Sequence, residues 1–211
     1  MSVQIKYKNT AGNLITSQQV QNLDYFDKIT FVDDQIKMIE SKIRIRNGSR
    51  TTISYYLSNS ENKQEILNKF TDADKNQNCN ISFNKQNFGE FGIWDDEEYS
   101  KEGDLRHRGK HTLDSKGRII FSCGFDLQSN QLLDRSFKSY YLGDDMIFTF
   151  TYDNDGSIIT ITDHEDRFGY YAVLDLQQFI EEPMIQDSFF SWNEHTYYHS
   201  AYPFLPNSLT I

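Results

Sequence analysis

The chain has 211 residues, of which 37% are hydrophobic and 15% aromatic, with only 11 Gly and 3 Pro. That is enough apolar material to build a lean core rich in rings, and too little Gly and Pro for a long flexible linker. A formal net charge of −10 argues against nucleic acid and anionic membrane as partners, because both select basic surfaces.

No apolar run approaches the 18 or so residues of a membrane span. Residues 1–14 lack the apolar segment of a signal peptide, so a cytosolic protein is expected. Cys79 and Cys123 lie far apart and form no paired motif. In a cytosolic chain they are expected to remain thiols.

In chain order, Val3, Ile5 and Tyr7 alternate with polar residues and predict a first strand. Residues 9–13 read as a turn and residues 14–20 as the returning strand. Residues 25–32 then lead through Asp33 and Asp34 into a strand ending at Ile43 and Ile45. Asn47-Gly48 is a strong turn signal before the next strand, residues 51–57. In residues 58–61 the spacing of a capping box places Glu61 within reach of the Ser58 backbone. Ile66, Leu67 and Phe70 fall on one helical face, which predicts a helix over residues 60–70.

Residues 71–80 read as a polar loop. Within residues 74–85, Asp74, Asn76, Asn78 and Ser82 occupy positions of an EF-hand calcium loop. Cys79 stands where that loop needs Gly, however, and Lys85 stands where a bidentate Glu should close it. The expectation is a polar helix-to-strand connection without metal. Residues 87–99 carry Phe88, Phe91, Ile93 and Trp94 before an acidic run. Residues 100–110 are highly charged and are expected to form a surface loop.

Beyond residue 112 the strand pattern resumes over residues 118–125 and 131–142. Residues 146–163 hold the clearest hairpin in the chain. Phe148, Phe150 and Tyr152 alternate with threonines on one arm, Ile159 and Ile161 do so on the other, and Asp155-Gly156 lies in the turn between them. Residues 170–180 suggest a strand entering a short helix. Residues 189–202 are aromatic and polar, and Pro203 and Pro206 suggest an extended segment packed over the sheet.

One pattern occurs three times: Asp or Asn, two residues, Gly, one residue, then Leu or Ile. It begins at Asn9, Asp114 and Asp153. With Tyr152 before it, the last copy resembles the tyrosine-aspartate repeats of Rhs-type proteins. The copies are irregularly spaced, and an antiparallel meander reuses Asp and Gly at its turns.

Two histidine pairs have i, i+4 spacing: His107 with His111, and His195 with His199. The first lies among Arg106, Arg108 and Lys110, which oppose a dication. The second lies in a run whose β-branched and aromatic content predicts a strand, and strand rise would hold its imidazoles roughly 13 Å apart. Neither pair is expected to hold a metal, and no nucleotide-binding or hydrolase motif is present.

The most distinctive surface candidate is Trp94, Asp95, Asp96, Glu97 and Glu98, followed by Tyr99. Rings beside four carboxylates combine an apolar anchor with steering toward a basic partner. These features predict a mainly β fold, a twisted antiparallel meander with one clear helix. A single domain is expected, any division into lobes falling near residues 100–112. In type, an acidic, medium-sized, β-rich chain without catalytic motifs resembles the immunity proteins of bacterial polymorphic and contact-dependent toxin systems. That resemblance implies a non-enzymatic inhibitor without a cofactor, whose partner is a basic toxin domain. The alternative is a small β-rich enzyme or carbohydrate-binding domain that uses aromatic platforms and carboxylates.

Overall fold

The structure is a computed structural model that describes residues 2–10, 13–46, 48–72, 74, 76–133, 135–165, 173–181 and 190–206. The strands are β1 (Val3–Lys8), β2 (Leu14–Ile15), β3 (Tyr25–Val32), β4 (Gln35–Ile45), β5 (Gly48–Tyr56), β6 (Gln77–Phe88), β7 (Phe91–Tyr99), β8 (Leu105–Leu113), β9 (Ile119–Phe125), β10 (Ser136–Leu142), β11 (Asp145–Tyr152), β12 (Ile158–Asp163) and β13 (Val173–Leu174). The helices are α1 (Lys63–Phe70) and the short α2 (Leu176–Glu181). The protein is mainly β, as predicted. Its strand order is β13-β12-β11-β10-β9-β8-β7-β6-β5-β4-β3-β1-β2.

Among the described strands the predicted meander has two exceptions. In one, β1 rather than β2 lies beside β3, leaving β2 at the edge. In the other, β5 and β6 pair in parallel, Thr51 opposite Gln77 through Tyr56 opposite Ser82. A parallel pair needs a crossover, and α1 supplies it. Two segments predicted as loops are strands: residues 77–80 open β6, and most of residues 100–110 belongs to β8. The return at residues 14–20 forms a strand only at Leu14 and Ile15, and a 3-10 turn follows at Gln19–Asn22.

The recurring Asp/Asn–Gly pattern is a recurring turn. The Asp114 carboxylate accepts the Lys116 and Arg118 backbone N–H groups, both at 2.9 Å. Asp153 accepts those of Asp155 and Ser157 at 3.0 and 2.8 Å. Gly117 and Gly156 take φ of +77° and +85°, a conformation that costs a residue bearing Cβ. At the first copy, the Asn9 side chain accepts the Asn13 N–H at 3.0 Å. In each case a short acceptor folds back on its own backbone and closes a hairpin.

The chain divides into two compact units, Met1–Lys85 with Trp94–Arg108, and Gln86–Ile93 with Gly109–Ile211. In the first, Leu67 of α1 packs with Ile53, Tyr55, Cys79, Ile81 and Tyr99. Glu61 does accept the Ser58 N–H, at 2.8 Å, but the helix starts later than predicted. Asn62 is its N-cap, accepting from the Gln64 and Glu65 N–H groups. Glu61 instead anchors the preceding turn to the sheet, taking hydrogen bonds from Tyr55 at 2.5 Å and from Lys37.

The second unit is built on rings. Phe148, Phe150 and Tyr152 of β11 point to one side and are fully buried with Phe121, Ile161, Phe179 and Phe190. Residues 190–204 cover this side as an irregular segment with one 3-10 turn at Thr196–Tyr198, where the sequence predicted a strand. Its carbonyls find donors in the sheet rather than in a ladder. Lys138 donates to Tyr197 and Ser200 at 2.6 and 2.7 Å, the Tyr152 hydroxyl to Tyr198 at 2.9 Å, and Thr112 to Phe204 at 3.2 Å. The Gly156 carbonyl in turn accepts the Ala201 N–H at 2.9 Å. Lys138 is completely buried, its ammonium 3.8 Å from the Tyr197 ring centre, and burial pushes its pKa down to about 7.

Candidate functional site: the acidic strand

Trp94, Asp95, Asp96, Glu97 and Glu98 lie on β7, not in a loop, and successive side chains therefore point to opposite faces. Tyr99 belongs to the core under α1, so Asp95 and Glu97 share the helix-covered face. Trp94, Asp96 and Glu98 share the other. The five residues predicted as one patch are thus divided between two faces.

Glu97 is held inside. Lys63 of α1 pairs with it at 2.6 Å, the Tyr99 hydroxyl donates to it at 2.5 Å, and its side chain is only 13% exposed. Tyr99 has its pKa raised, first by burial and then by the hydrogen bond to Glu97. The Lys63 ammonium also lies 4.6 Å from the Phe83 ring centre. This cluster fixes α1 to the sheet. Asp95 accepts from the Asn84 amide at 3.0 Å.

The opposite face combines rings with charge. Trp94 meets Tyr56 edge-on at 5.2 Å, and the Lys85 ammonium lies 5.4 Å from the indole. Asp96 accepts the Ser82 hydroxyl at 2.7 Å. Burial raises the Tyr56 pKa, and the charge of Asp96 adds to it. Among the described residues, half-buried Glu98 has neither a hydrogen-bond nor an ion-pair partner. Strand β8, with Arg106, His107 and Arg108, neighbours β7 in the sheet, so a basic run lies beside the acidic one. The sequence showed both runs; their adjacency is set by the short connection at residues 100–104.

The site thus pairs tyrosines whose pKa burial raises, Tyr56 and Tyr99, with the carboxylates of Asp96 and Glu97 beside them. The other sequence candidates are engaged structurally. Residues 77–85 run along β6, so the calcium-like stretch does not form a loop. Cys79 is a buried thiol pushed up to about 12 by desolvation. His195 bonds the Ser191 carbonyl through Nδ1 at 2.8 Å and stacks on Phe190, while His199 bonds the Trp192 carbonyl and stacks on Trp192. Among the described residues no helix is long and apolar enough to cross a membrane. Compared with protein-family models, curated proteins and solved structures, the chain finds no match in any of the three.

Proposed function

We propose that this chain is a non-enzymatic cytosolic binding protein of the immunity type, which neutralises a basic toxin domain by direct contact. What carries this reading is the face of β7 turned away from α1. There Trp94 and Tyr56 form an aromatic anchor, and Asp96 and Glu98 present carboxylates beside it. Asp95 extends the acidic edge, whereas Glu97 acts through Lys63 and Tyr99 to hold the strand in place. Opposite charges accelerate encounter, and a desolvated ring slows release.

The test is co-purification of the tagged protein from its native cells at moderate salt, beside the Asp96→Lys/Glu98→Lys variant. A basic protein recovered near one-to-one with the parent chain and lost with the variant is the expected outcome. The association rate should then fall at least tenfold at low ionic strength and much less at high salt. Equal recovery by both chains, or a rate indifferent to charge reversal, rules this face out.

A further inference from the structure

A second site lies in the first unit, away from the acidic strand. An open cleft of about 440 Å³ sits between the 3-10 turn at Gln19–Asn22 and the tip of the β4–β5 hairpin. The pairing register defines what faces it. Phe26 of β3 stands directly opposite Lys42 of β4, and Arg44 stands opposite Ser49 of β5. Lys42 and Arg44 are two residues apart on one strand, so all four side chains share a face. Val20 and Leu23 supply apolar wall from the turn.

The polar groups there are not used up by the fold. Lys42 is half-buried and, among the described residues, has no hydrogen-bond or ion-pair partner. The Ser49 hydroxyl has none either. Arg44 is exposed, spanning 3.5 Å to Asp24 and 3.4 Å to the Gln21 carbonyl, so its fork is held only loosely. The acids nearby are Asp24, itself exposed, and Glu40, which is taken by Lys28 at 3.3 Å. A partly desolvated ammonium, a guanidinium and a hydroxyl therefore converge beside a phenyl ring in a chain whose overall charge is −10.

We propose that this cleft binds a small anion, a phosphate monoester or a carboxylate, carried on an aromatic or other apolar body. Lys42 takes the charge as a point ammonium, the Arg44 fork and Ser49 complete the contacts to its oxygens, and Phe26 packs against the body. A cleft of this size suits a ligand of metabolite dimensions.

The experiment is a titration of the isotope-labelled full chain, followed by amide chemical shifts, with phenyl phosphate, benzoate and inorganic phosphate as separate probes. Phenyl phosphate or benzoate should bind in the millimolar range or tighter, moving amides at residues 20–26, 42–44 and 48–49. Inorganic phosphate should bind at least fivefold more weakly. Whichever of the two aromatic probes binds tighter identifies the anion. Lys42→Met should abolish binding while leaving the remaining spectrum unchanged, Lys42→Arg should retain it, and Phe26→Leu should remove the advantage of the aromatic probes. No saturable shift with either aromatic probe overturns the proposal. So does undiminished binding by a folded Lys42→Met chain, or equal affinity for inorganic phosphate.

Discussion

Lys138 shows how one side chain can stand in for a strand of backbone. Its ammonium donates to two carbonyls, and the negative face of the Tyr197 ring attracts the same positive charge. Desolvation sets the sign of its pH dependence. The folded-state pKa, about 7, lies below the ordinary 10.5, so the unfolded chain binds the extra proton between those values. Stability contributed by this site is therefore lowest below pH 7 and rises as the pH climbs toward 10.5. Lys138→Met removes the titration but leaves the Tyr197 and Ser200 carbonyls without their donor. It should cost about 1–3 kcal/mol at neutral pH by chemical denaturation. The gap to the parent chain should widen on going to pH 10; a gap that narrows contradicts this account.

At the level of elements, the Asp–Gly turns allow a controlled comparison. Gly117 and Gly156 have nearly the same φ, but a Cβ at Gly117 would meet nothing within 4 Å, whereas one at Gly156 would lie 3.1 Å from Ser200 Oγ. Gly117→Ala should cost about 1 kcal/mol, the left-handed penalty alone. Gly156→Ala should cost at least about 1 kcal/mol more in thermal or denaturant unfolding, the excess coming from the displaced segment at residues 200–202. Equal costs would mean that the turn does not support that segment. Such turns and their hairpins were legible in the chain because the signal is local: Asp, Gly and alternation within about 18 residues. Strand β8 was not legible, since Arg106, Arg108 and Lys110 make one face of Leu105–Leu113 basic while His107, Gly109 and His111 leave the other without an apolar stripe, and the strand exists through its neighbours β7 and β9. The start of α1 was misread because the Glu61–Ser58 contact does form, but as a turn anchored by Lys37 and Tyr55. The division of Trp94 to Glu98 between two faces follows from strand alternation and needed only the knowledge that the run was a strand. The contacts from Lys63, Ser82 and Asn84 depend on the parallel β5–β6 crossover, which no local pattern announces.

For the molecule as a whole, charge and sheet edge act together. Ser2 accepts the Asp33 N–H at 3.0 Å, so alternation turns the backbone groups of Val3 and Ile5 away from β3. Strand β2 covers only Tyr7 and Lys8. Among the described residues nothing pairs with Val3 and Ile5, 64% and 50% exposed, on this edge. Such edges invite pairing with another chain, and like net charge opposes it. Near the isoelectric point of about 4.9 that opposition vanishes. Light scattering should show self-association rising as the pH falls from 7.5 to 5, and Ile5→Lys should suppress it. Association unchanged by that substitution would place the contact elsewhere.

The covering of the second unit also imposes an order in time. The groups that receive residues 190–204, namely Thr112, Lys138, Tyr152 and Gly156, are all synthesised earlier. While the polypeptide grows on the ribosome, strands β9 to β12 can pair, yet the side bearing Phe148 and Phe150, met by Phe179 of α2, stays incompletely covered until residues 190–204 emerge. A nascent chain halted before residue 190 would leave those rings partly exposed to solvent, which makes it the stage at which chaperone capture or aggregation competes with folding.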